Sequence, residues 1–364
     1  MSSGSYLPPP VKLVEIDKKS GGTRSLGIST VTDRIAQMVV KMTLEPELEP
    51  FFHSDSYGYR PGKSAIEAVG IARERCWRYD WVIDLDIKGF FDNLRHDLLL
   101  KALQKHTKNR WVLLYIERWL IAPLQKKDGT LISRDKGTPQ GSVISPLLAN
   151  LYLHYAMDEW LRINYPETPF ERYADDVVVH CKTEKCANDA LASLKNRVAE
   201  CGLELHPEKT KIVYCKDDDR RGNYPNTKFD FLGFTFRRRR SKNRWGKYFV
   251  NFSPAVSDSA KKSMRKVMRS WKVHLRSDKS LDDISHMFNP ILRGWYNYYG
   301  KYYKSELSCI FRHFNRTLSR WAMRKYKRLR GHNRRAEYRI GKIAIEHPRL
   351  FYHWQIGLKP STGQ

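Results

Sequence analysis

Acidic charge is what this chain has least of for its size. Only 39 Asp and Glu stand against 66 Lys and Arg, a formal net charge of +27 over 364 residues. An excess of that size repels itself in any compact state, so it points to a polyanionic partner, nucleic acid or an anionic membrane surface. Long apolar runs are also missing, and no segment approaches the length that spans a bilayer. The opening Met1-Ser2-Ser3-Gly4-Ser5-Tyr6 has neither a basic region nor an apolar stretch, so no secretory leader is visible. Nucleic acid is therefore the favoured partner, with no membrane, and the cytoplasm is the expected compartment. Cysteine is sparse and irregular. Cys76, Cys181, Cys186, Cys201, Cys215 and Cys309 form no CxxC pair, which speaks against zinc by spacing and fits reduced thiols.

Against this background stands Tyr173-Ala174-Asp175-Asp176, between Phe170-Glu171-Arg172 and Val177-Val178-Val179-His180. The pattern predicts a β-hairpin with two acids at its tip. Adjacent carboxylates repel, and a fold keeps such a pair where a cation neutralises it. Magnesium suits the place, because it takes one or two carboxylates plus substrate phosphates. Alone, the same residues read as a solvated turn. A second acidic element, Asp84-Leu85-Asp86-Ile87, puts Asp84 and Asp86 on one face of a strand. Acids at a strand end ahead of Gly89-Phe90-Phe91-Asp92 are costly without a compensating cation. If the two elements are neighbours, Asp86, Asp175 and Asp176 converge, a set that suits two magnesium ions in phosphoryl transfer. Between them lies Gly137-Thr138-Pro139-Gln140-Gly141-Ser142, whose glycines allow close backbone approach to a base or sugar; alone, it is an ordinary loop before a helix.

Patterning predicts strands at 11–16 and 24–28 joined through Gly21-Gly22, and a helix over 32–44 capped by Thr32 and closed by Pro46 and Pro50. A helix over 64–77, a strand over 81–87 and helices over 97–104 and 111–121 follow. Next come a long helix over 145–160 with Pro146 in its first turn, and a helix over 183–201 stopped by Gly202. Strands are expected at 203–205, 211–214 and 229–236, with helix almost throughout from Ser257. From about Lys228 the chain turns strongly basic and aromatic, which suggests a globular catalytic part followed by a part that grips nucleic acid.

The order of these pieces resembles the ordered motif set of reverse transcriptases: Asp86 strand, Gly-Thr-Pro-Gln-Gly loop, helix, Tyr-Ala-Asp-Asp hairpin, Gly202-Leu203 with Glu208-Lys209-Thr210, then Phe231-Leu232-Gly233-Phe234. More narrowly, it is similar to the reverse transcriptase/maturase of bacterial group II introns. Arg24-Ser25-Leu26-Gly27-Ile28 with Asp33-Arg34, and Ser56-Tyr57-Gly58-Tyr59-Arg60-Pro61-Gly62, match further motifs. Leu292-Arg293-Gly294-Trp295-Tyr296-Asn297-Tyr298-Tyr299-Gly300 resembles the maturase domain, or thumb. That last stretch speaks against a relative repurposed away from introns.

The resemblance implies an α+β fold, a right-hand fingers and palm with an antiparallel palm sheet, followed by an α-helical thumb/maturase domain. The expected divisions are 1–240 for fingers and palm, 241–345 for the helical domain and 346–364 for a tail. It also implies roles: Asp86, Asp175 and Asp176 as the metal-binding catalytic triad, and the Ile87 carbonyl as a further ligand. Phe91 matches the aromatic gate under the sugar. Lys18 and Arg24 match the cations that clamp the triphosphate, and Gln140 a contact near sugar and base. Lys209 matches a residue that protonates the leaving pyrophosphate, with a salt-bridged surface lysine as the other reading. The implied cofactor is two Mg2+ ions, with Mn2+ as substitute. The implied partners are an intron RNA template, a DNA or RNA primer and deoxynucleoside triphosphates; the oligomeric state stays open.

In the basic part, Arg316, Arg320, Arg324, Lys327 and Arg328 recur at helical spacing, with Phe314, Leu318, Trp321 and Leu329 as the apolar counterpart. One face is expected to pack and the other to meet phosphates, each neutralised phosphate steepening the salt dependence. Trp295, Tyr296, Tyr298, Tyr299, Tyr302 and Tyr303 are mostly assigned to packing, and residues 237–240 to a hairpin flank facing nucleic acid. Family members carry an extension upstream of Tyr6-Leu7-Pro8-Pro9-Pro10, so the chain is expected to be either truncated or started at an internal methionine, and no HNH-type endonuclease is expected after Leu358. The expected function is RNA-directed DNA synthesis of group II intron type, with intron RNA binding that assists splicing and mobility. The alternative is an RNA-binding maturase with little or no polymerase activity because the N-terminal region is absent.

Overall fold

In the computed structural model, which describes residues 4–17 and 23–361, the first unit (Met1–Thr227) opens on an antiparallel pair. β1 (Val11–Asp17) and β2 (Thr23–Ile28) register with Lys12 opposite Ile28 and Asp17 opposite Thr23. The connecting Gly21-Gly22, and Lys18 with them, lie outside the described residues. The first helix, α1 (Val31–Leu48), is capped by Thr30 rather than Thr32: the Asp33 N–H donates to Thr30 Oγ1 at 3.2 Å. Nor does Pro46 stop it. Leu44 and Leu48, one turn apart, are fully buried. Burying two such side chains contributes roughly 3–6 kcal/mol, which offsets the roughly 3 kcal/mol that an interior proline costs. Pro50 falls in the short 3₁₀ turn Glu49–Phe51.

Then come α2 (Ala65–Cys76, capped by Ser64), β3 (Trp81–Asp86), α3 (Phe90–Asn93), α4 (His96–His106) and α5 (Arg110–Ile121). β4 (Leu124–Gln125) and β5 (Leu131–Ile132) extend the first pair into a sheet of order β2-β1-β4-β5. The helix expected over 145–160 is interrupted. α6 (Ser145–Leu153) runs into a π-helical turn, His154–Asp158, before α7 (Glu159–Asn164). β6 (Phe170–Tyr173), β7 (Asp176–Cys181), α8 (Glu184–Glu200) and β8 (Lys211–Tyr214) complete the unit. Residues 203–205 make no strand, only an isolated bridge between Leu205 and Ile87.

The unit's second four-stranded sheet has the order β6-β7-β3-β8, antiparallel throughout, with Leu85 opposite Val177 and Val82 opposite Val213. On one face of its central strands Ile83, Leu85, Val177 and Val179 join Leu99, Leu148, Leu151 and Leu194 of the helices in one core, and on the other Val82, Val178 and His180 are also buried. It is an antiparallel sheet backed by helices, as the resemblance to reverse transcriptases implies for a palm.

The second unit (Lys228–Gln364) starts with β9 (Lys228–Phe231), β10 (Phe234–Lys242) and β11 (Tyr248–Val256). The single strand expected over 229–236 is a hairpin, because Leu232 and Gly233 take φ 51° and 81°. Two successive positive φ values make the tight turn whose twist suits a two-residue connection, and a Leu-Gly pair inside an apolar run hides it. Helices follow: α9 (Asp258–Ser270), α10 (Leu281–Tyr299), α11 (Ser308–Lys325), α12 (Asn333–Glu346) and α13 (Tyr352–Gln355). The aromatic cluster packs, as expected: Tyr298, Tyr299 and Tyr302 ring Phe234, and the Tyr298 hydroxyl donates to Leu232 O at 2.9 Å. No helix among the described residues is long and apolar enough to cross a membrane.

One buried base in this unit gives it a pH dependence. His353 is fully buried and donates from Nε2 to Asn315 Oδ1 at 2.6 Å, while its Nδ1 has no partner. Burial pushes the imidazole pKa down to about 3. The unfolded chain therefore takes up a proton near pH 6.5 that the folded chain refuses. Stability is fully present above that pH and falls as pH drops toward 3, by about 2 kcal/mol at pH 5. Urea midpoints at pH 7.5 and pH 5 should differ more for the parent than for His353→Gln. Equal differences would refute the assignment.

Candidate active site

β3 ends at Asp86 and β7 begins at Asp176, and the register sets them opposite each other. Asp175 lies in the intervening turn behind Ala174, which takes φ 59°. A left-handed alanine costs roughly 1–2 kcal/mol and persists where the surroundings hold it. Asp175 is not a solvated tip residue. Burial, joined by the charge of Asp86, pushes its carboxyl pKa up, against its own backbone N–H, Arg24 and Lys209. Lys209 Nζ lies 3.0 Å from Asp86 Oδ2. Asp84 is occupied elsewhere, with Lys211 Nζ at 3.4 Å. The His206 N–H donates to Asp86 O at 2.7 Å and the Lys88 N–H to Glu204 O at 2.8 Å, so the segment leading to Lys209 is tied to the end of β3. Ile87, with its side chain buried, sits at that bridge.

Among the described residues, no three His, Cys, Asp or Glu side chains close on a metal position by themselves. The donor set nevertheless fits a hard divalent cation. The groups are carboxylates, one of them is half-buried beside another's charge, and the cation on Asp86 is a lysine. Magnesium needs one or two carboxylates and takes its other oxygens from water and phosphate, so a closed protein cage is not required.

The support of this turn is what sequence reasoning missed. Arg172 is fully buried and gives Nε and Nη2 to Asp158 Oδ1 and Oδ2 at 2.8 and 2.5 Å. Its Nη1 donates to Asn150 Oδ1 at 2.9 Å and to Ala174 O at 3.2 Å. Asp158 closes the π-helical turn, a feature that recurs at functional sites. Asn150 Nδ2 also donates to Gly58 O at 2.7 Å, and a Cβ on Gly58 would stand 2.4 Å from Ala174 N. On the other face of β6, Glu171 meets His180 Nε2 and Arg75 Nη1, each at 2.6 Å. In sequence, Glu171 and Arg172 are two charged residues leading up to the turn, with no sign of their partners. Only their burial shows the framework.

The nucleotide-side residues form a second group. Arg24 Nε donates to Gln140 Oε1, and the Gly27 N–H to Gln140 O at 2.8 Å. The Thr138 N–H donates to Phe91 O at 2.8 Å and the Gly137 N–H to Leu94 O at 2.7 Å. A Cβ on Gly137 would stand 2.7 Å from Asp92 O, so glycine is needed for this approach. Phe91 is 8% exposed and edge-on to Phe90. β2, the glycine loop and the Phe91 turn are thus laced together. Arg24 itself is exposed and its charge reaches Asp175 and Tyr59. Lys18 lies outside the described residues.

In the second unit, Arg316, Arg320 and Arg324 on α11, with Lys327 and Arg328 in the 3₁₀ turn Lys327–Leu329, are all exposed, while Phe314, Leu318, Trp321 and Leu329 are buried. Arg265 and Arg269 of α9 add to this face. Burial, then Arg265, Arg320, Arg269 and Arg316, push the His313 pKa down. Residues 237–240 do not all face outward: Arg239 is buried, with Nη1 3.0 Å from Glu306 Oε1.

Comparison with known proteins agrees with this geometry. The family described as reverse transcriptase (RNA-dependent DNA polymerase) matches residues 16–236, and the group II intron maturase-specific domain matches 261–339. Protein YkfC of Escherichia coli (strain K12) is 33% identical over 278 residues, 66% of this chain and 70% of that protein. The group II intron-encoded protein LtrA of Lactococcus lactis subsp. cremoris is 37% identical over 155 residues, 42% of this chain and 26% of that protein. An uncharacterized 91 kDa protein in the cob intron of Schizosaccharomyces pombe is 29% identical over 63% of this chain and 30% of that protein. The chain therefore spans most of the first relative but less than a third of the other two. A solved telomerase from Candida albicans, in complex with a TWJ fragment of telomeric RNA, shares the fold. It has a TM-score of 0.53 and 11% identity over 98% of this chain and 64% of that one. Reverse transcriptases as a family use divalent metal ions and bind an RNA template. With palm sheet, acidic strand ends and both domain matches in sequence order, this chain belongs to the reverse transcriptase family, as a member carrying the group II intron maturase-specific domain.

Proposed function

We propose that this chain copies group II intron RNA into DNA and holds that RNA so as to assist splicing and mobility. The observation that carries the reading is the meeting of Asp86, Asp175 and Asp176 at adjoining strand ends, with Lys209 on Asp86. These three carboxylates, with the Ile87 carbonyl, would hold two Mg2+ ions, or Mn2+ in their place. When bound, such ions supply positive charge to the attacking and leaving oxygens. The chain's own residues orient the reactants. The 3′-hydroxyl of a DNA or RNA primer loses its proton to solvent water and attacks the α-phosphorus of a deoxynucleoside triphosphate; the new P–O bond forms as the bond to pyrophosphate breaks.

Lys18 and Arg24 hold the triphosphate, and Gln140, bonded to Arg24, fixes that arm near sugar and base. Phe91 leaves no room for a 2′-hydroxyl. Lys209 gives a proton from Nζ to the departing pyrophosphate once it releases Asp86. Arg316, Arg320, Arg324, Lys327 and Arg328 meet RNA phosphates. We assign synthesis to residues 1–240 and the grip on RNA to 241–345, in a cytoplasmic protein; the segment 346–364, expected as a tail, instead packs Phe351, His353 and Trp354 into the second unit.

Purified chain given an RNA template, an annealed DNA primer, deoxynucleotides and Mg2+ should extend the primer, and chelation of the metal should stop it. Stimulation of intron splicing at low Mg2+ without any extension would overturn the polymerase reading in favour of a maturase alone. Gly58→Ala tests the turn. Its Cβ meets main chain that cannot swing aside, 2.4 Å from Ala174 N and 3.0 Å from Tyr173 C. A displacement near 1 Å costs on the order of a hundredfold in rate, so single-turnover incorporation should slow by about that much. A rate within twofold of the parent would refute the contact's importance.

A further inference from the structure

Two faces of the β10–β11 hairpin are used differently. The strands pair from Phe234 opposite Val256 to Lys242 opposite Tyr248, and residues opposite each other share a face. On one face, Arg237 and Arg239 turn to Glu306, at 3.4 and 3.0 Å. On the other, Arg238, Arg240 and Lys242 are exposed, and among the described residues none of them has an ion pair with an acid. Two of them lie against a ring instead. The Arg240 guanidinium is 4.0 Å and the Lys242 ammonium 5.6 Å from the Tyr248 centroid, and at the tip Arg244 is 4.1 Å from that of Trp245.

The tip is an ordered turn. Asn243 Oδ1 accepts from the Trp245 and Lys247 N–H groups at 3.0 and 2.9 Å, and Gly246 takes φ 84°. Trp245 is nevertheless 74% exposed and Tyr248 55%. Large rings held in water on a fixed turn gain free energy when a flat partner covers them.

We propose that this outer face binds an unpaired RNA segment, with bases stacked on Trp245 and Tyr248 and phosphates on Arg238, Arg240, Lys242 and Arg244. The inference rests on the RNA-binding part of the proposed function and names where an unpaired strand is held. A single strand supplies, in each nucleotide, the flat ring and the anion that this alternation of ring and cation needs. A protein partner would have to bring an acid for each cation and an apolar surface for each ring. Duplex RNA has its bases already stacked and its major groove closed to side chains.

Anisotropy titrations of the full chain with a labelled 12-nucleotide single-stranded RNA, and with the same RNA as a duplex, test the site. Trp245→Ala and Tyr248→Ala should each weaken single-strand binding about five- to fiftyfold, without changing the salt slope. Trp245→Phe should keep most of the affinity, and duplex binding should change less than twofold in all three. Arg240→Gln with Lys242→Gln should instead flatten the salt slope, by about 0.7 per lost phosphate contact. An unchanged melting temperature of Trp245→Ala confirms that the variant is folded.

The proposal falls if the double alanine variant binds single strands within twofold of the parent. It falls equally if single-strand and duplex binding weaken together, or if polyglutamate competes as well as RNA. If the parent extends primers on RNA while the double variant binds unchanged, the hairpin site alone is wrong. If the parent neither extends primers nor binds either RNA, the reading beneath it fails as well.

Discussion

Asp175→Asn is expected to lower single-nucleotide incorporation by on the order of a thousandfold while the protein stays folded and retains RNA. A carboxylate that helps hold a divalent ion on reacting oxygens supplies several kcal/mol, and each 1.36 kcal/mol is tenfold in rate. The structural setting predicts the sign of the stability change too. Burial and the neighbouring Asp86 charge already raise the free energy of ionised Asp175. Neutral asparagine of the same shape removes that strain, so the variant should melt at the same temperature as the parent or higher. Asp176→Asn should cost less than Asp175→Asn, since Asp176 already belongs to the ladder opposite Asp86. Rapid-quench incorporation on an RNA template, beside a thermal melt, reads both quantities. A rate for Asp175→Asn within tenfold of the parent would remove it from the catalytic set.

Arg172→Met should be the most destabilising single change in the palm, by about 3–5 kcal/mol, because it strands the fully buried Asp158 charge. Arg172→Met with Asp158→Leu should recover most of that loss, since an apolar pair of similar volume avoids both desolvation penalties. Recovery of stability should not bring recovery of rate. The double variant still lacks the donor to Ala174 O, which holds the left-handed residue beside Asp175. Urea unfolding and single-turnover incorporation together separate the two effects. A single variant as stable as the parent would show that Arg172 does not carry this load.

Much of the palm was legible because its signals are local. The alternation of Asp84 and Asp86 and the apolar run after Asp176 specify strands, and Ser64 and Thr183 mark helix starts by their caps. Charge composition located the change at Lys228 because the second unit's cations are dense in sequence as well as in space. What stayed hidden depends on distant partners. Pro46 reads as a stop until Leu48 is known to be buried. The π-helical turn has no spacing signature of its own; Asp158 is drawn to Arg172, which the chain reaches only after α7. Nothing in the sequence marks Arg172 and Glu171 as buried, because burial of a charge is invisible without the side chain that answers it. Residues 237–240 read as one basic patch, yet strand alternation sends Arg237 and Arg239 to Glu306 and leaves Arg238 and Arg240 outside.

The central position of β3 also sets the order in which the molecule can become competent during its own synthesis. β1 and β2 can pair as soon as they are made, but β3 must wait for β7 on one side and β8 on the other. Closing such long loops costs entropy before any contact is gained, and contacts between distant segments form slowly. Gly58 likewise meets Ala174 only after the whole intervening chain exists. A ribosome that has released residues up to the end of α8 therefore carries both acidic strand ends but lacks Lys209 and the strand beyond it. The acidic strand ends gain their lysine and β3 its second neighbour only once residues up to Tyr214 have emerged, so the site is completed late in synthesis.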